Sequence, residues 1–228
     1  ATRHAHLNWA LVDQAVVSGA NFLTTLIMAR FLGVEAFGIF SLAWLIALFV
    51  QSIQMAFILT PMLTIGAKYS GEDADAYYAS LIPLQVGFIV LSVLATVAIA
   101  LTIGPAIGMG FVSLDLARVL SSVVATTQAH EYGRRFCFAR GRTEVAFRID
   151  AIRYLAQFAG FILLFSTGDG RADEALLVVA GSAVIGVATL GGDFPSTSWR
   201  GIDISRTLLR HWNMSRWLLP SALMQWTS

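Results

Sequence analysis

Ala36-Phe-Gly-Ile-Phe-Ser-Leu-Ala-Trp-Leu-Ile-Ala-Leu-Phe-Val-Gln-Ser-Ile-Gln-Met-Ala-Phe-Ile-Leu-Thr-Pro-Met-Leu-Thr-Ile-Gly-Ala67 separates Glu35 from Lys68 without one charged side chain. A second and longer uncharged run separates Asp75 from Asp115. About 20 apolar residues carry a helix across a bilayer, whereas a soluble core does not absorb uninterrupted runs of this length. The whole chain agrees. Its 228 residues are 57% hydrophobic and 13% charged, with a mean hydropathy of +0.70, against about 25% charged in an ordinary soluble domain. The pattern predicts an all-α, polytopic membrane bundle.

The remaining bulk features exclude several classes of function. A net charge of +1 offers no basic surface to nucleic acid. The single lysine, Lys68, sits in Gly66-Ala67-Lys68-Tyr69, so the chain has no P-loop and no means of ATP hydrolysis. The lone Cys137 rules out an internal disulfide and a cysteine metal cluster. His4, His6, His130 and His211 all flank the expected spans, and no His-Glu-x-x-His pattern occurs; no metal and no cofactor are expected. Asp13, Gln14, Ser18 and Asn21 interrupt the first apolar stretch, which is therefore not a cleavable signal. The missing initiator methionine reads as trimming or a fragment.

Six transmembrane helices are expected, at 9–29, 39–60, 77–103, 111–128, 146–166 and 174–191. The second stops at Pro61 and the third at Gly104-Pro105, both ordinary helix stops. Positive charge orients them. The N-terminus and the second, fourth and sixth connections hold Arg3, Lys68, Arg134, Arg135, Arg140, Arg142, Arg200, Arg206, Arg210 and Arg216. The other three connections hold only Arg30 and Arg171. This asymmetry places the N-terminus in the cytoplasm, and Cys137 with it, where the thiol stays reduced. The expected organisation is a six-helix half-bundle over 1–190, a cytoplasmic interfacial linker over 191–216 with a short surface helix at 203–210, and the truncated start of a seventh helix over 217–228. Trp217-Leu-Leu-Pro-Ser-Ala-Leu-Met-Gln225 loosely repeats Trp9-Ala-Leu-Val-Asp-Gln14 at the start of the first span. Six spans return the chain to its starting side, so a second half would repeat in parallel orientation.

Nearly every expected span carries a polar stripe. Gln14, Ser18, Asn21 and Thr25 stack on one face of a 3.6-residue helix. The second span places Gln51 and Gln54 with Trp44, and the third stacks Gln85, Ser92 and Thr96. The fourth aligns Asp115, Arg118, Ser122 and Thr126, and the fifth aligns Asp150, Arg153 and Gln157, with Arg148 free to snorkel. Two accounts fit. Small polar residues glue membrane helices together, and Asp115–Arg118 and Asp150–Arg153 can pair within their own helices. Alternatively the stripes line a water-filled cavity for a polar, anionic group, because intramembrane ionisable residues tend to mark pathways and arginine offers phosphate a fixed fork of donors.

Ala29-Arg-Phe-Leu-Gly-Val-Glu-Ala-Phe-Gly-Ile-Phe40 resembles the segment after the first helix of Wzx-type oligosaccharide flippases, the polysaccharide-transporter branch of the MATE-like superfamily. Arg30, Leu32, Gly33, Phe37 and Gly38 match the family pattern. Gly33 can take the left-handed conformation that ends a helix, Gly38 lets the next one begin close by, and Glu35 suits that helix's N-terminal dipole. Glu131-Tyr-Gly-Arg-Arg-Phe-Cys-Phe-Ala-Arg-Gly-Arg142 is similar to the cytoplasmic link between the fourth and fifth helices of the same family, although positive-inside anchoring alone also accounts for it.

The resemblance implies the first half of a carrier of twelve or more helices in the bacterial inner membrane. Such a carrier moves a polyprenyl-diphosphate-linked oligosaccharide to the outer leaflet by alternating access, driven by an ion gradient, for polysaccharide biosynthesis. Its implied partners are the lipid-linked oligosaccharide, membrane lipid, and a second transporter half in cis or in trans. The candidate substrate-binding residues are Gln14, Asn21, Arg30, Gln51, Gln54, Arg118, Arg153 and Gln157; the candidate ion-coupling acids are Asp13, Asp115 and Asp150. Two rivals stand beside this reading. A MATE-like drug or cation exporter would favour acidic cavity residues, whereas these stripes carry arginine too. A membrane-embedded glycosyl transferase or polymerase would need a catalytic outer loop or a reactive cluster, and neither is visible in the sequence.

Overall fold

The computed structural model describes residues 2–106, 114–166, 170–191 and 203–226. The expected start of the fourth span at 111–113 and the linker residues 192–202, including Arg200, lie outside the described residues. Helices α1 (Thr2–Phe31), α2 (Gly33–Gln54), α3 (Thr60–Gly66), α4 (Gly71–Ala106), α5 (Leu114–Ala139), α6 (Thr143–Ser166), α7 (Ala172–Ala188) and α8 (Ile204–Met224) follow one another, with no strand among the described residues. Among the described residues, four stretches are long and apolar enough to cross a membrane: Leu11–Phe31, Gly33–Gly66, Gly71–Thr102 and Thr143–Ser166. Helix α7 has 17 residues, short of the ~20 that span a bilayer, and α5 carries a dense set of charges. The described residues form an all-helical bundle whose long apolar helices are compatible with a membrane protein. Its apolar side chains turn outward, as lipid demands: Phe22, Val86, Leu91, Leu94, Leu155 and Ile162 are all exposed.

The helices run up and down. At one end Trp9 of α1 meets Phe147 of α6 with ring centroids 5.1 Å apart, and Arg140 after α5 pairs with Asp75 of α4 at 2.7 Å. At the other end Phe31 stacks on Phe165 at 4.9 Å. The N-terminal part of α1, the start of α4 and the Arg140–Arg142 turn are thus gathered at one end. Gly33 has φ +74° and opens the break between α1 and α2. Helix α5 is the hub, packed against α2, α4, α6 and α7. Its Leu120, Val123 and Val124 join Met28, Phe40, Ala43, Phe161 and Leu176 in the larger apolar core. Tyr132 and Phe136 join Ile58, Leu59, Met62, Tyr77 and Tyr78 in a second core at the Arg-rich end.

Three expectations are corrected. Pro61 does not stop the second helix. The chain passes through a π-helical segment, Met55–Leu59, and continues as α3 to Gly66. Proline has no N–H to return to Phe57, four residues back, and that carbonyl is satisfied from elsewhere: His211 Nδ1 lies 3.1 Å away and Ser215 Oγ 3.3 Å. Both belong to α8, which brings the second correction. The expected surface helix and the apolar segment after Trp217 are one helix of 21 residues, Ile204–Met224. Its buried face is polar, with Thr207, His211 and Ser215 four residues apart, while Leu208, Leu209, Trp212 and Trp217 face out. Tyr77 Oη sits 2.9 Å from His211 Nε2, Thr207 bonds Ser80 at 2.9 Å, and Trp226 Nε1 donates to Ser52 at 3.1 Å. Third, α5 runs on to Ala139, well beyond the expected end at 128, so residues 129–139 are helix rather than connection.

Two measurements check this. Cys137 is buried, so engineered cysteines must report topology. Glu35→Cys should react with an impermeant thiol reagent on intact cells and Lys68→Cys only after permeabilisation; the reverse order would invert the bundle. His211→Ala should lower the unfolding free energy in detergent by about 1 kcal/mol. The loss should shrink in a Pro61→Ala background, where residue 61 regains its N–H.

Candidate functional site

Between α1, α2, α5 and α6 lies a cavity of about 110 Å³ lined by Asn21, Trp44, Gln51, Thr127, Glu131, Arg153 and Tyr154, with Val17, Ala47 and Leu48. Four elements build it from two kinds of residue. Helices α1 and α2 supply neutral amides and an indole; α5 and α6 supply the charge. Three sequence candidates, Asn21, Gln51 and Arg153, meet here. Tyr154 Oη donates to Asn21 Oδ1 at 3.3 Å, tying α6 to α1 across the cavity.

Behind the charged wall is a buried ionic network. Arg134 Nη2 lies 2.5 Å from Asp13 Oδ2 and Arg134 Nε lies 2.6 Å from Asp150 Oδ2, while Nη1 reaches Glu131 at 3.5 Å. Arg135 Nε bonds the same Glu131 oxygen at 2.6 Å. His130 Nε2 stands 3.3 Å from Asp150 Oδ1, and Arg153 Nη1 donates to His130 Nδ1 at 3.0 Å. The Arg153 guanidinium also lies 5.2 Å from the Tyr154 ring centroid, and its Nε has no hydrogen-bond partner in the described structure. So Asp150 and Arg153 do not pair with each other. Their side chains point to different partners, Arg134 and His130, because α5 brings its own charges between them.

The other candidates fall elsewhere. Gln157 is buried and donates to Thr24 at 2.8 Å, one layer away from the cavity. Gln54 is buried with Gln85, 3.0 Å away, and with the Gln128 carbonyl at 2.9 Å. Four amide atoms in that trio, Gln54 Oε1, Gln85 Nε2 and both Gln128 termini, have no hydrogen-bond partner in the described structure. Gln14 is exposed and bonds Ser18 at 3.2 Å. Arg30 is exposed at the end of α1. Asp115 and Arg118 are exposed and pair with each other at 3.0 Å, as their spacing allowed. Of the three acids, only Asp13 and Asp150 are buried. The first-helix stripe Gln14, Ser18, Asn21 and Thr25 faces outward along its length.

No family model matches the chain, and no curated protein and no solved structure matches it either. Function has to be read from the site itself.

Sequence reading missed His130, Glu131, Arg134 and Tyr154. A fourth span ending at 128 leaves the first three in a connection. A signal was present: Thr127, Glu131 and Arg134 continue the buried face of Val123 and Val124 at helical spacing. Glu131 and its arginines at i+3 and i+4 also balance charge within the helix.

Removing one partner from a buried ion pair typically costs about 3–5 kcal/mol. Arg134→Ala should therefore lower the melting temperature of the purified protein steeply, since it strands Asp13 and Asp150. Arg118→Ala should leave it nearly unchanged, as expected of an exposed pair. Equal effects would remove Arg134 from its structural role.

Proposed function

We propose that this chain is half of a carrier for a lipid-diphosphate-linked oligosaccharide, with the Arg153 cavity as the anchor for the anionic group. The observation that carries the reading is the cavity wall itself. A buried guanidinium with an unused donor, beside amides and a Trp, lies between helices whose outer surfaces are largely apolar outside the α1 stripe. Guanidinium forks match phosphate oxygens, and amides and an indole suit sugar hydroxyls and ring faces. In this reading six helices, α1, α2–α3, α4, α5, α6 and α7, cross the bilayer with the Arg-rich end in the cytoplasm.

The cavity is well below the size of an ordinary ligand pocket, so it fits a head group and not the whole cargo. The outward stripe of Gln14, Ser18, Asn21 and Thr25 is costly against hydrocarbon, which supports a second helical half closing over α1 and α2. Resemblance of the Ala29–Phe40 segment to Wzx-type flippases points to the same cargo class, with transport driven by an ion gradient and Asp13 or Asp150 within reach of a coupled proton.

The test is leaflet-resolved assay of lipid-linked oligosaccharide in cells with and without the gene. Deletion should trap the lipid-linked sugar in the cytoplasmic leaflet. Arg153→Ala should reproduce the deletion while the protein is still made, and Arg153→Lys should restore only part of the export, since a point charge replaces the fork. Unchanged leaflet distribution on deletion would refute the carrier.

A further inference from the structure

We infer that His130 is a positioning residue that holds Arg153 back from the cavity and ties binding of a phosphate-type anion there to uptake of one proton. The inference rests on reading the cavity as an anion site and adds how that site is regulated.

The geometry assigns the imidazole its state. Arginine only donates, so the 3.0 Å contact from Arg153 Nη1 requires a lone pair on His130 Nδ1. The ring is then neutral, with its hydrogen on Nε2, which lies 3.3 Å from Asp150 Oδ1 without hydrogen-bonding geometry. The ring is also fixed in place. His130 is fully buried, and a Cβ at Gly186 of α7 would fall 3.0 Å from its Cδ2 and 3.1 Å from its Nε2. Any larger residue at 186 would press on the ring there.

Charge balance points the same way. Around His130, α1 contributes Asp13; α5 contributes Glu131, Arg134 and Arg135; α6 contributes Asp150, Arg153 and the Tyr154 phenol. Helix α7 brings Gly186 against the ring, and α2 brings the neutral Gln51 to the adjoining cavity. Three carboxylates thus face three guanidiniums, and the cluster sums to zero when the imidazole is neutral. An uncompensated charge in such a place is strongly unfavourable. An anion bound at Arg153 breaks the balance, and a proton on His130 restores it.

The same proton acts on geometry. With Nδ1 protonated, His130 can no longer accept from Arg153, so the guanidinium turns to the cavity with its fork free for the anion. Nε2 keeps its hydrogen, and the charged ring stands beside the Asp150 carboxylate. Linkage is reciprocal: protonation strengthens anion binding, and the anion favours protonation.

The probe is dimethyl phosphate, a monoanionic phosphodiester that does not titrate near neutral pH, added to the purified chain in detergent micelles. On saturation, the ¹⁵N resonances of His130 should move from the neutral Nε2–H form to imidazolium. Between the pH at which His130 titrates in the free protein and the higher pH at which it titrates with the anion bound, the dissociation constant should rise about tenfold per pH unit, as one linked proton demands. In His130→Gln, whose amide can still accept from Arg153 but cannot charge, the affinity should lose its pH dependence while binding persists. A neutral His130 at saturation, a flat wild-type affinity, or a slope that survives in His130→Gln would each overturn the inference and leave the anion site standing. Should His130→Gln fail to fold, the wild-type slope decides alone. Absence of binding at every pH would instead overturn the anion-site reading, and this inference with it.

Discussion

Arg134 holds three helices to one another because nothing else in their surroundings can satisfy it. Its guanidinium spends Nη2 on Asp13 of α1 and Nε on Asp150 of α6, while its own helix supplies Glu131. In water such a cluster would be a weak association, screened and mobile. In a bundle whose outer surface is apolar, each member would be left as an unpaired buried charge if any of the others moved away. That requirement explains why α5 is central: a helix carrying His130, Glu131, Arg134 and Arg135 must be wrapped on every side, and α2, α4, α6 and α7 do so.

The same constraint governs the backbone at Pro61. A proline inside an apolar helix frees a carbonyl, and lipid offers no donor in compensation. Here the π-helical turn Met55–Leu59 re-aims the chain, and α8 arrives with His211 and Ser215 to donate to Phe57. The polar stripe of α8 is thereby explained by what it covers. Its Leu and Trp residues face outward for the complementary reason, that their side of the helix meets no protein. Such a helix inverts the pattern of a soluble amphipathic helix, in which the apolar face would be buried.

Much of this is legible in the residues, and the parts that are not share one cause. Uninterrupted apolar runs reveal spans directly, because length and charge are one-dimensional properties. The left-handed glycine at Gly33 and the i, i+3 pair Asp115–Arg118 are likewise readable, since each depends on neighbours in sequence. What stays hidden depends on neighbours in space. The end of α5 is misplaced because Glu131, Arg134 and Arg135 look like a solvated terminus until Asp13 and Asp150 are known to reach them. Pro61 looks like a stop because its rescuer, His211, lies far along the chain. The stripes are visible as stripes, but which face is covered cannot follow from a helical wheel. On α1 the covered face is Asp13, Ala20, Thr24 and Met28, and the stripe Gln14, Ser18, Asn21 and Thr25 is left outside.

That outward stripe and the cavity bear on each other. Asn21 belongs to both: it accepts from Tyr154 on the cavity side and remains exposed on the surface of α1. The cavity is therefore not sealed from the surface by an apolar layer at α1, as a purely structural void would be; apolar voids in proteins stay dry, whereas polar ones hold water. A polar path runs from the exposed face of α1, past Asn21 and Gln51, to Arg153 and the ionic network behind it. This polar path enters from the side of the bundle, at Asn21 of α1. The ionic network behind that path fixes α1 to α5 and α6 through Arg134, and Arg153 stands between that network and the cavity.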